Sequence, residues 1–195
     1  MIRQTNQLTS RRRFLSGTVR SWVALWFTSA FLQGCTALVH LMNDYRQQNG
    51  LPEILISSSL MVVALKHVVD LDTYHPENLC APNGNLHSWS THGNWHGTPG
   101  QGAWKGCCYP GDHANAACMW EKPKEIANYP DFGYEIAHWE SGPATAQSAL
   151  TSWTTSPPHN DVLLNKGIWQ NRNWRALGVA WRGHYACAWF GEVQA

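Results

Sequence analysis

The sequence predicts an α+β fold on three observations. Helical stretches come first, an irregular segment rich in Gly, Pro, Trp and Cys fills the middle, and two strand-like runs joined by a tight turn close the chain. With 195 residues, 44% hydrophobic and 14% charged, the chain suits one domain with a substantial core. Its low charge, 16 Gly, 10 Pro and 12 Trp exclude a coiled coil, a disordered acidic tail and a nucleic-acid binder with a basic face.

The first segment is a basic leader. Residues 1–37 hold Arg3, Arg11, Arg12, Arg13 and Arg20 and no acid, which leaves residues 38–195 with 9 basic against 13 acidic side chains, a net −4. Ser10-Arg11-Arg12-Arg13-Phe14-Leu15 precedes an apolar run from Ser21 to Leu32, giving the basic and hydrophobic regions of an export signal. The basic stretch resembles the twin-arginine pattern. An apolar run of 12 residues is short of the roughly 20 that span a bilayer, so a cleaved signal is expected rather than a permanent transmembrane helix. Leu32-Gln33-Gly34-Cys35 is similar to a lipoprotein box, with Cys35 as the candidate lipidation position; plain cleavage near Cys35-Thr36-Ala37 is slightly preferred. The expected location is periplasmic or extracellular, with membrane contact only through the signal or a lipid on Cys35.

Residues 38–195 form the expected single domain. Leu38, Leu41, Met42 and Tyr45 recur at helical spacing and Asn49-Gly50 supplies a stop, so a helix is expected over 38–49. Ser57 to Ser59 offer N-caps for a second helix with the stripe Leu60, Val63, Ala64, His67, Val68 and Leu71, ending before Pro76. From about residue 80 to 130 the periodicity dissolves, with a Trp/Cys-rich insertion at about 88–130, and such excursions are usually functional or stapled. Beyond it, a strand is expected over Phe132 to Trp139, a helix over Ala144 to Trp153 and a short helix over Pro158 to Leu164. Strands over Ala176 to Trp181 and Tyr185 to Phe190 follow, joined by Arg182-Gly183-His184.

Without Cys35, five cysteines remain: Cys80, Cys107, Cys108, Cys118 and Cys187. One must stay unpaired, and an oxidising compartment favours one or two disulfides among the others. The cluster at 107–118 is expected to close a local loop containing Cys118, with which only one of the two adjacent cysteines can pair. A zinc reading of these cysteines fails because no Cys-x-x-Cys pair exists.

Several motifs together resemble the CAP superfamily of cysteine-rich secretory, antigen 5 and pathogenesis-related proteins, in its bacterial branch. They are Asn43-Asp44-Tyr45-Arg46 with Gly50-Leu51-Pro52; Leu60, Ala64, His67 and Asp70; Leu86-His87-Ser88; Gly133-Tyr134-Glu135-Ile136-Ala137; Trp153 through His159 with Leu163-Leu164; and Gly178-Val179 ahead of Tyr185 and Phe190-Gly191. The resemblance covers residues 38–191. It implies an α-β-α sandwich with a central antiparallel sheet and an open cleft lined by two histidines and two glutamates.

Carried over residue by residue, the histidines are His87 and His159. Tyr134 stands where the first glutamate belongs and Glu135 is one residue late, so in a regular strand Glu135 points to the opposite face. Either a bulge returns it to the cleft or the acid is lost. The second acid falls at Thr155 or Ser156 and is absent. Zinc on His87 and His159 would therefore bind weakly, since a catalytic site wants a third protein ligand, and no cofactor is required. Tyr134 either orients a ligand through its hydroxyl or packs.

Other polar residues offer less. His92 and His96 lack a helical frame and a zincin glutamate, and His184 reads as a turn residue. Ser88 and Ser156 lack a nucleophile elbow. Trp89, Trp95, Trp104 and Trp120 form either a mini-core under a stapled loop or an aromatic binding surface. The leading expectation is an exported protein that binds a peptide, glycan or lipid in the cleft framed by His87 and His159, with Glu135 and Tyr134 beside them. The alternatives are a metal-assisted hydrolase acting on peptide or cell-wall material, with His159 or Glu135 as base, and an envelope-associated interaction module.

Overall fold

The computed structural model describes residues 19–80, 82, 84–92 and 104–195, with side chains from residue 34 onward. The basic stretch at 10–15, Trp95 and His96 lie outside the described residues. The chain divides into two units, 1–33 and 34–195. Among the described residues, no helix is long and apolar enough to cross a membrane.

The first helix, α1 (Val19–Gln48), starts earlier than the amphipathic spacing indicates and stops one residue short of the expected end. In its later part Cys35, Leu38, Val39 and Met42 are buried, the stretch that the amphipathic spacing marks. Gly50, at φ 77°, closes the helix. Arg46 is buried and donates to the carbonyls of Pro52 and Leu163 and to Asn165 Oδ1. Burial pushes its guanidinium pKa down to about 10. Asn43 is matched to Ile54 by reciprocal hydrogen bonds of 3.0 and 2.9 Å. Together these bonds fix the chain where it leaves α1.

Ser57 caps α2 (Ser58–Tyr74) by accepting from the Leu60 amide. The predicted stripe is buried along α2, and His75, in a left-handed conformation, ends the helix and leads into α3 (Pro76–Leu79). The middle excursion is not wholly irregular. It contains α4 (Ala116–Trp120) and α5 (Lys122–Ala127), one and two turns long. Both are too short to announce themselves by periodicity. Two disulfides staple the excursion, Cys80–Cys108 and Cys107–Cys118, while Cys35 and Cys187 are free and buried. Trp89 and Trp104 are buried beneath it and meet edge to face at 5.3 Å, as a mini-core would, and Trp120 is half-buried.

The sheet has the order β1-β3-β4-β2. Strands β2 (Tyr134–Trp139), β3 (Ala176–Arg182) and β4 (Tyr185–Gly191) pair antiparallel, and the two-residue β1 (Leu55–Ile56) adds a parallel edge beside β3. Gly183, at φ 55°, makes the β3–β4 turn two residues long. The His184 ring there lies 3.0 and 2.9 Å from the carbonyls of Glu140 and Gly142, which fits a turn role.

Helix α2 covers one sheet face, where Gly178 lies against the Leu60 backbone and Cys187 Sγ donates to the Ala64 carbonyl. Against the other face lie Gly34 of α1, at Trp181, and the layer of α6 (Ala146–Thr155) and α7 (Pro157–Leu163). Tyr45 of α1 donates to Asn160 of α7. The result is an α-β-α sandwich in which β2 is an exposed sheet edge.

Candidate functional site

Alternation along β2 places Glu135 and Ala137 on the α2 face and Tyr134, Ile136 and His138 on the other. The β2–β4 register is regular from Tyr134↔Phe190 to Trp139↔Tyr185, so no bulge intervenes. Neither outcome expected for Glu135 is the one found. The acid stays on the α2 face and the histidines come to it. His67, from the buried stripe of α2, places Nδ1 2.5 Å from Oε1, and His87 places Nδ1 2.8 Å from Oε2. Both Glu135 and His67 have side chains with no exposure.

The protonation of this group follows from its partners. His67 Nε2 lies 3.1 Å from the Ser88 carbonyl, so both ring nitrogens face oxygen acceptors and both must carry protons. Burial opposes that charge, but the Glu135 charge and hydrogen bond, with the Ser88 carbonyl, raise the His67 pKa. Burial likewise opposes ionisation of Glu135, yet the charge and hydrogen bond of His67 and the bond from His87 lower its pKa. The two form a buried imidazolium–carboxylate pair. Trp89 stacks on His67 with ring centres 4.0 Å apart, closing the pair from water.

The segment carrying His87 is fixed from several sides. Asp70 of α2 accepts from the Ser90 amide at 2.8 Å and its hydroxyl at 2.5 Å. Trp89 pairs with Cys107 across a β-bridge, and Ser88 Oγ accepts from the Tyr109 amide. The Ser88 hydroxyl is thereby buried and occupied by a backbone amide, and its contact with a histidine is through its carbonyl. His87 remains partly open, with 16% of its side chain exposed.

His159 lies on α7. Burial, then the neighbouring His87 and His138, push its pKa down to about 4, with Glu135 opposing. Its Nδ1 is buried without a partner, and His138 Nε2 is likewise outside any hydrogen bond, although 3.4 Å from a Glu140 carboxylate oxygen. The fold thus brings His87 and His159 within electrostatic reach of each other and of Glu135.

Tyr134 does not line this space. It is buried among Trp120, Trp169 and Trp174, with the Arg172 guanidinium 4.8 Å over its ring. His92 stacks on Tyr74 at 4.3 Å.

The family model for CAP, the cysteine-rich secretory protein family, matches residues 39–170. The chain belongs to this family. The CAP fold here is similar to that of an extracellular protein containing an SCP domain from Bacillus anthracis strain Ames. The TM-score is 0.51 and the identity 16%, over 83% of this chain and 41% of that one. A cysteine-rich secretory protein from Staphylococcus aureus Mu50 aligns with a TM-score of 0.49 and 14% identity, over 83% of this chain and 38% of that one. The chain therefore spans about two fifths of the length of these proteins. No curated protein matches it.

Within the CAP frame, sequence reasoning singled out His87, His159 and Glu135, and the fold gathers them. It gave no site role to His67, named only in the α2 stripe and among the family-like positions of that helix, or to His138, whose alternation with Tyr134 was the available signal. It also passed over Cys187, counted only among five cysteines of which one had to stay unpaired.

The depressed His159 pKa sets a pH dependence. Below its unfolded value of 6.5 the unfolded chain takes up a proton that the folded site refuses until about pH 4, so stability falls across that interval. Discounted for partial solvent access, the loss is on the order of 2 kcal/mol. Urea midpoints of the metal-free protein at pH 7 and pH 4 should therefore fall less in His159→Gln than in the parent, and equal falls would refute this assignment.

Proposed function

We propose that this CAP domain acts after export, binding a peptide, glycan or lipid in the cleft framed by His87 and His159. The observation that carries the reading is a pair of imidazoles with unspent nitrogens. His87 Nδ1 is engaged by Glu135 at 2.8 Å, which leaves its Nε2 for a ligand, and His159 keeps a buried, unpartnered Nδ1. Two disulfides and the basic leader support export to an oxidising compartment.

Zinc is the metal these donors suit, and the Glu135–His87 bond is the carboxylate–histidine arrangement that orients a metal-binding ring. Two imidazoles are one protein ligand short of a catalytic site. A hydrolase also lacks its base. His159 is a weak base with a pKa near 4, and both Glu135 oxygens are already engaged by histidine donors. The geometry therefore favours binding over turnover.

Calorimetric titration of the disulfide-bonded, metal-free chain with Zn²⁺ tests the paired site. A micromolar step that disappears in both His87→Ala and His159→Ala is expected. Absence of that step, or its persistence in both variants, would overturn the paired-histidine cleft.

A further inference from the structure

A second donor set lies beneath the cleft, on the α2 face of the sheet. A ring nitrogen of His67, a Glu135 carboxylate oxygen and Cys187 Sγ all lie within 4.8 Å of one another, and all three residues are buried. Ligands on one zinc ion, at bonds of about 2.0–2.3 Å, sit roughly 3.3–3.8 Å apart, so an ion would replace the 2.5 Å His67–Glu135 hydrogen bond and spread those two atoms. We infer that His67, Glu135 and Cys187 supply three of the four ligands of a site for a soft divalent cation, zinc above all, distinct from the His87–His159 pair.

Charge favours a divalent ion here. In the metal-free chain the imidazolium, the carboxylate and the neutral thiol sum to zero. When Zn²⁺ enters, His67 loses its Nδ1 proton and Cys187 its thiol proton; neutral imidazole, carboxylate, thiolate and Zn²⁺ again sum to zero. The exchange releases two protons and leaves no net charge in a dry core, where unpaired charge is costly. Thiolate and imidazole select zinc over magnesium or calcium, which prefer oxygen cages.

The surroundings already resemble the outer shell of a metal centre. His67 Nε2 donates to the Ser88 carbonyl, which leaves Nδ1 as the ligand atom, and His87 holds the far oxygen of Glu135. Burial, then the Glu135 charge, push the Cys187 thiol well up, with the Trp189 side chain opposing, so the metal-free site holds a neutral thiol. Cys187 is outside both disulfides, and its thiol proton, donated to the Ala64 carbonyl, is the one a metal ion would displace.

The test is Co²⁺ titration of the disulfide-bonded, EDTA-treated full chain, followed by absorption. The expected result is one equivalent of Co²⁺ with visible bands of a four-coordinate ion and a thiolate-to-cobalt charge-transfer band. In Cys187→Ser that band should vanish and affinity should drop at least tenfold, whereas His159→Ala should leave both intact. X-ray absorption of the zinc-loaded His159→Ala chain, in which the cleft pair is broken, should show one sulfur neighbour, which keeps the test decisive if Cys187→Ser fails to fold. Cobalt binding without the thiolate band, or zinc with no sulfur neighbour, overturns the inference. Loss of the micromolar zinc step in His159→Ala with the thiolate band retained separates failure of this site from failure of the cleft.

Discussion

Glu135→Gln is expected to lower the folding free energy by about 3–5 kcal/mol, the usual cost of leaving one member of a buried ion pair without its partner. A glutamine side chain keeps the volume but removes the charge that holds His67 protonated. Its amide has only one oxygen for the two imidazole N–H groups that Glu135 receives at 2.5 and 2.8 Å, and its NH₂ would confront the other donor. The loss should also change the pH profile. Glu135, with its pKa lowered from 4.5, contributes stability that is present above that value and lost as pH falls through the lower folded one. His67, raised from 6.5, contributes stability present below that value and lost as pH rises through the higher folded one. Metal-free Glu135→Gln should lose both flanks. Urea denaturation near pH 6, where the pair is fully formed, measures the effect, with Glu53→Gln, at an exposed position, as a surface control. A midpoint shift equivalent to under about 1 kcal/mol would show that the charge pair does not hold the site together.

The second large effect is expected from a single methyl group. Gly178 on β3 lies directly beneath the first turn of α2, and a Cβ there would overlap the Leu60 carbonyl carbon and oxygen and the Met61 amide nitrogen. All three are backbone atoms, so no rotamer change relieves the overlap and α2 must lift from the sheet. Gly178→Ala should cost about 3 kcal/mol, the upper end of ordinary overpacking penalties. Gly142→Ala, where an added Cβ meets nothing, should change little. Thermal unfolding of the two variants side by side checks this, and equal midpoints would mean that the helix–sheet contact is looser than the structure has it.

Elements that carry their own periodicity were readable from the sequence. The closing hairpin lies within one residue of the expected boundaries, and Ser57 caps α2 as its chemistry suggests. Elements held by tertiary contacts were not. Strand β1 has only Leu55 and Ile56 and exists because it lies beside β3. Helices α4 and α5 depend on the Cys107–Cys118 bridge and on Lys122, a buried ammonium bonded to Glu125 and the Lys105 carbonyl and lying 5.5 Å from the Trp89 ring. For the site, motif spacing identified His87 and His159. The position of Glu135 was read as a choice between a bulge and a loss, because alternation fixes only the face of a strand. What packs against that face, here His67 of α2, is a long-range fact that no local pattern carries.

The adjacent cysteines Cys107 and Cys108 send their bridges to different places, Cys118 and Cys80. Neighbouring residues in extended chain point to opposite sides, so exchanging the two partners would require this segment to slip by one residue. The scrambled isomer therefore differs from the native one by a register error, and sulfur chemistry alone cannot tell them apart. What discriminates is the backbone pairing of Trp89 with Cys107, through bonds of 2.8 and 2.9 Å. Faithful oxidation thus depends on that non-covalent template closing before an oxidant reaches the thiols.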